Sequence, residues 1–206
     1  MDKTPTPPLL PIFRSQQQAD ILALVLGNAD HEFTLPEIAE RTKSPYPSVH
    51  REIDRGASTG LVSVRRVGNS KLVRANVDSP YFEGLSDVLV KAFGPPQVLA
   101  EELAGIDGIT DAFIFGSWAA RHAGQTGPRP VGDIDLLILG DPDRDIVYAA
   151  ASRAEKRLGR EVQVTLRADG WLKSGSGAFH DTVLSRPMHR VIPAEVTRRD
   201  RAGSTR

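Results

Sequence analysis

The sequence predicts an α/β (α+β) protein in two parts: a helical group closed by a basic hairpin, then a mixed sheet with helices around it. Three observations predict it. Residues 16–78 carry three helical patterns followed by two short strand patterns around Gly68-Asn69-Ser70. After Gln97 helix and strand alternate, with strands at 111–116, 133–139 and 161–167. Between these stretches Gly94-Pro95-Pro96 closes a helix and marks a boundary. With 206 residues the chain is long enough for two small cores. The expected order is a mobile arm (1–15), a first domain (16–78), a connector helix (79–95), a second domain (96–193) and a mobile tail (194–206).

In the first domain, residues 17–26 place Ile21, Leu22, Val25 and Leu26 on one helical side and end at Gly27. Thr34-Leu35-Pro36-Glu37 has capping-box spacing, so a second helix is expected to about Arg41. Ser44 is placed to cap a third helix, with Pro45 and Pro47 in a first turn that spares their missing amide donors. Val49 and Ile53 point inward there. That leaves Tyr46, Ser48, His50, Arg51 and Arg55 outside, a set able to meet base edges and phosphates. Two strands follow at 61–67 and 71–76, with Arg65, Arg66 and Lys71 making the hairpin tip basic.

Three helices and a charged hairpin make a winged helix, and residues 17–77 are similar to ArsR and MarR-like regulators. The resemblance implies that the third helix enters the major groove of double-stranded DNA while the wing tracks backbone or minor groove. A winged helix used only for protein interaction is the alternative. Charge favours DNA. The net charge is zero, but it is unevenly placed. From 15 to 40 there are five acids and no lysine or arginine, whereas from 41 to 74 eight bases face only Glu52 and Asp54. A local excess of six positive charges is the footprint of a phosphate-contact surface. The helix over 79–93, with Leu85, Val88, Leu89 and Val90, is either a homodimer interface or a helix packed between the two domains.

In the second domain Ala112-Phe113-Ile114-Phe115 reads as a buried strand that turns at Gly116-Ser117 into a short helix. Ser117 and the first amides of that helix would face an anion. The next strand opens with Asp133-Ile134-Asp135 and continues as Leu136-Leu137-Ile138-Leu139, apolar on both faces like a covered central strand. Side chains alternate along a strand, so Asp133 and Asp135 share a face about 6–7 Å apart. Two like charges so close call for a cation. A hard, oxygen-seeking Mg²⁺ (or Mn²⁺) with substrate phosphates suits them, and phosphoryl or nucleotidyl transfer is the chemistry implied.

Phe115-Gly116-Ser117-Trp118-Ala119-Ala120-Arg121 followed by Gly132-Asp133-Ile134-Asp135-Leu136-Leu137-Ile138 resembles the minimal nucleotidyltransferases of the DNA polymerase β superfamily. The likeness covers residues 96–192 and extends to the subgroup fused behind a winged helix, with its long Gly- and Pro-rich loop, here 124–132. It implies that Gly116 and Ser117 hold the β and γ phosphates of a nucleoside triphosphate (NTP) while Asp133 and Asp135 bind the metals. A third catalytic carboxylate is usual on a neighbouring strand. Its position falls on Gln163, an amide that cannot act as a charged ligand or base. Glu161, one period-2 step away, is either the substitute or a surface charge. Arg121, one turn beyond Ser117, can fork a triphosphate or be an ordinary helix arginine. Trp118 is read as packing, and His122 as able to touch phosphate.

The absence of cysteine excludes disulfides, thiolate zinc sites and cysteine nucleophiles, and it fits a reducing cytoplasm. No apolar stretch approaches the roughly 20 residues of a membrane span, and the proline-rich start has no signal-peptide core. The expectation is a cytoplasmic regulator that transfers a nucleotide from NTP to a protein or RNA acceptor. The alternatives are a nonenzymatic transcription factor that senses nucleotide, and an antitoxin-like regulator.

Overall fold

The computed structural model describes residues 13–125 and 132–192. Most of the expected arm, the tail, and residues 126–131 of the Gly- and Pro-rich loop lie outside the described residues. The architecture is α+β, with sheets of both antiparallel and mixed orientation. The chain separates into two compact units. One runs to Val98 and includes Lys156–Gly159; the other holds Leu99–Glu155 and the chain from Arg160 on.

The first unit opens with α1 (Gln16–Gly27), capped by Ser15, whose hydroxyl accepts from the Gln18 amide at 3.2 Å. A one-sided apolar stripe was expected of this helix, yet Ala23 and Leu24 are buried as well as Ile21, Leu22, Val25 and Leu26. Helix α4 (Phe82–Phe93) packs along α1 and places Leu89, Ala92 and Phe93 in the same core, and Leu24 lies against Gly159. Ser86 Oγ donates to Leu26 O at 3.2 Å, and a side chain on Gly27 would meet Val90 at 3.2 Å. The segment expected as a connector is thus built into the core of this unit. It starts at Phe82, not Ser79.

A two-residue strand absent from the sequence expectation, β1 (Phe33–Thr34), runs straight into α2 (Leu35–Arg41). The capping box is present: Thr34 Oγ1 accepts from Glu37 N at 3.3 Å, and Glu37 accepts from Thr34 N at 2.7 Å. Helix α3 (Tyr46–Ser58) buries Val49 and Ile53 as expected. Ser44, however, is not its cap. Pro45 is the N-cap residue, and Lys43 at φ +50 turns the chain so that Ser44 is buried with its hydroxyl donating to Thr42 O.

Strands β2 (Val62–Val67) and β3 (Ser70–Ala75) form an antiparallel hairpin, with β1 on the far side of β3. Val67 pairs with Ser70, so the loop is the two residues Gly68-Asn69, one shorter than expected. Gly68 has φ +57 and Asn69 has none of the positive φ, the pattern of a type II′ turn. Helices α1 to α3 with this three-stranded sheet have the element order of a winged helix.

In the second unit, after α5 (Pro95–Leu103), the four-stranded sheet has the order β6-β5-β4-β7. Strand β4 (Ile109–Phe115) runs antiparallel to β5 (Asp133–Gly140) and to β7 (His189–Ile192), and β5 is parallel to β6 (Glu161–Arg167). A parallel pair needs a crossover, supplied by α7 (Arg144–Leu158), which buries Val147, Ala150, Ala151 and Ala154 at helical spacing. Both faces of β5 are covered, with Leu136, Leu137 and Ile138 wholly buried. On the face of Leu137 and Leu139 the cover comes from α8 (Trp171–Ser174) and α9 (Ala178–Leu184), through Trp171, Leu172 and Val183. Edge strand β7 is fastened by Arg190, which donates to both oxygens of Asp111 at 2.8 and 2.5 Å. No helix among the described residues is long and apolar enough to cross a membrane.

Candidate functional site

Strand β4 ends at Phe115, and the chain enters α6 (Gly116–His122) directly through Gly116 at φ +70. An ordinary side chain resists that backbone, and space forbids one too. A Cβ on Gly116 would lie 2.0 Å from Asp135 Oδ2 and 2.9 Å from its Cγ. The glycine therefore lets the turn press against the carboxylate. Register explains the meeting: Phe115 pairs with Asp135 across the β4–β5 ladder, so the end of one strand faces the start of the next. No side chain caps α6, which leaves its first amides without partners inside the helix. Ser117 is exposed.

Asp133 and Asp135 are both half-buried, with Ile134 wholly buried between them. Burial, and then the neighbouring charge of Asp133, push the Asp135 carboxyl above its ordinary value. A cation would relieve both causes. Glu161 lies beside Asp133 in the parallel register and Gln163 beside Asp135, and both are exposed. Among the described residues no group of three His, Cys, Asp or Glu side chains is arranged to hold a metal. The carboxylate pair matches the one or two protein ligands that Mg²⁺ takes when substrate phosphates complete its shell. Arg121 is exposed near the end of α6. Trp118 is buried and stacks on His122 at 4.6 Å, and His122 meets His189 edge-on at 5.0 Å.

The winged unit gathers some of the expected DNA-contacting residues and separates others. Tyr46, Arg51 and Arg55 are exposed on α3, and Ser48 and His50 are half-buried. Arg51 donates to Ser48 Oγ at 3.2 Å, and Arg55 pairs with Glu52. Lys71 Nζ lies 3.1 Å from His50 Nε2, while His50 Nδ1 lies 2.9 Å from Asp54. The wing is thereby tied to the third helix. Arg66 pairs across the ladder with Lys71 on the same face of the hairpin, but Arg65 points the other way, as alternation along a strand requires. There Arg65 donates to both oxygens of Glu32 at 2.8 and 2.5 Å. Between the wing tip, Tyr46 and the start of α2 lies a cavity of about 370 Å³ lined by Arg66, Lys71 and Asn69. Sequence spacing found the basic tip, but it gave no sign that Glu32, 33 residues from Arg65 along the chain, would meet it.

Phe115 and Phe179 lie near the carboxylates, and nothing in their spacing along the sequence marks them as site residues. Phe179 on α9 is 41% exposed, and it meets Phe115 edge-on at 5.9 Å.

No family model and no curated protein matches the chain. Among solved structures, reduced HlyU from Vibrio cholerae is similar at 16% identity, over 42% of this chain and 86% of that one, with a TM-score of 0.34.

Proposed function

We propose that the chain is a DNA-binding transcriptional regulator whose second unit is a Mg²⁺-dependent nucleotidyltransferase acting on a protein or RNA acceptor. The observation that supports this is the close approach of the Gly116 turn to Asp135, with Ser117 next along that turn and Asp133 on the same face of β5. Polyphosphate and cation sites belong side by side in such chemistry. Gly116, Ser117 and Arg121 are assigned to the triphosphate, and Asp133 and Asp135 to the metal. Transfer joins an acceptor hydroxyl oxygen to the α-phosphorus and releases pyrophosphate. The hydroxyl proton passes to Glu161 or to water, since Gln163 cannot take it. When bound, Mg²⁺ neutralises charge on the phosphate oxygens. This chain's own residues orient the triphosphate along the turn.

Incubation with each labelled nucleoside triphosphate and cell extract tests the proposal. Label is expected on a macromolecule with at least one nucleotide and none with Asp133→Ala; no labelled product with any of the four counts against it. The DNA-binding half rests on the outward face of α3 and the Arg66–Lys71 wing tip, both in the positively charged stretch. A second reading, a regulator that binds nucleotide without turnover, is favoured by Gln163 beside Asp135. It expects Mg²⁺-dependent nucleotide binding that alters operator affinity and no label transfer.

A further inference from the structure

The sheet face that carries Asp133 and Asp135 continues into an aromatic surface. Phe113 and Phe115 on β4 pair with Leu137 and Asp135, so their side chains lie on that face. Phe179 touches Phe115 edge-on, and Trp171 lies 5.7 Å from Phe179 at a 36° tilt. The guanidinium of Arg167, which pairs with Leu139 on the same face, sits 5.3 Å from the Phe179 ring centre and 5.5 Å from that of Trp171. Beneath them His180 is buried edge-on to Trp171 at 4.9 Å, which supports the shelf from below.

Of the chain's seven phenylalanines Phe179 alone is exposed. One exposed apolar residue needs no special cause. This one is different in its setting: it borders a cationic and aromatic cluster at one end and, through Phe115, the half-buried carboxylates at the other. A ligand that fits both ends has a flat aromatic part and a polyanionic part. On β6, Gln163 beside Asp135 and Thr165 beside Leu137 share the face and offer neutral hydrogen-bonding groups.

We propose that Phe179, flanked by Phe115, Trp171 and Arg167, is the shelf on which the base of a purine nucleoside triphosphate stacks. This rests on the assignment of the phosphates to Gly116, Ser117 and the aspartate pair. Purines are preferred because stacking grows with the overlapping π surface, and Arg167 adds a cation above the rings.

The test measures binding of ATP, GTP, CTP, UTP and inorganic tripolyphosphate to the full chain with Mg²⁺ by titration calorimetry. Phe179→Ala is expected to weaken ATP or GTP about 5- to 150-fold, the range that base–aromatic stacking spans on truncation. Tripolyphosphate should bind this variant as it binds the parent, which also reports that the unit is folded. Phe179→Trp should restore the purine affinity. Unchanged purine affinity in Phe179→Ala, or pyrimidines bound as tightly as purines, overturns the shelf while leaving the phosphate site standing. If neither the nucleotides nor tripolyphosphate binds, or if Asp133→Asn changes nothing, the phosphate site fails and the shelf with it.

Discussion

Two glycines of this chain hold nearly the same left-handed backbone for different reasons. Gly68 at the wing tip has φ +57 and Gly116 at the end of β4 has φ +70. Around Gly68 a Cβ would meet nothing within 4 Å, whereas at Gly116 it would strike the Asp135 carboxylate at 2.0 Å. The first glycine serves a turn. The second serves a turn and a close approach, and only close approach joins distant residues into a site.

The comparison breaks most sharply at Gly116→Ala. Asp135 must swing away and the left-handed backbone costs about 1–2 kcal/mol. Displacing a metal-binding carboxylate in this way is expected to lower Mg²⁺-nucleotide affinity about 10- to 100-fold, measured by calorimetry alongside a thermal melt. Unaltered nucleotide binding in a folded Gly116→Ala protein would falsify the role given to this contact.

Asp135→Asn separates function from stability. The folded protein raises the Asp135 pKa, so its contribution to stability is present below the ordinary carboxylate value and is lost as pH rises through the raised one. At neutral pH the ionised group is a net cost. The substitution is expected to raise the melting temperature at pH 7 in chelator while abolishing Mg²⁺-nucleotide binding. The gain should shrink as pH falls towards 4. A lower melting temperature at pH 7 would mean that the carboxylate is held by favourable contacts instead.

The wing offers the next smaller effect. Arg66→Ala is expected to reduce DNA affinity across sequences and to lower the slope of log affinity against log salt by about 1, as for a lost phosphate contact. Arg65→Ala should change that slope less, because Arg65 lies on the opposite face and is engaged with Glu32. Fluorescence anisotropy over a salt series distinguishes them; equal slopes for the two variants would deny the wing this sidedness. Smallest is Gly68→Ala, where only the left-handed backbone is at stake, about 1–2 kcal/mol. A melt should detect it while nucleotide binding stays at the parent value.

Much of the architecture was legible because it depends on short-range pattern. The capping box of Thr34 and Glu37, the apolar run 136–139 and the crossover helix over 144–158 stand at their expected places. Strand β1 was not legible, since two residues carry no periodicity and exist only by pairing with β3. Nor was the cap of α3, where Lys43 at positive φ turned Ser44 inward. In the site, the approach of the Gly116 turn to Asp135 was expected, while Phe179 and Arg167 were not read as site residues. Their meeting depends on how α8 and α9 lie on the sheet, which no spacing records.

Local chemistry thus decided which residues become helix, strand and turn, and which of them can hold charge: a glycine before a serine, two aspartates at period two, a pair of adjacent arginines in the wing. Packing decided the partners. It set Asp135 against Gly116, brought Glu32 to Arg65, and packed α4 along α1. The reason is that backbone preference acts over a few neighbours, whereas register and burial are collective properties of elements far apart along the chain.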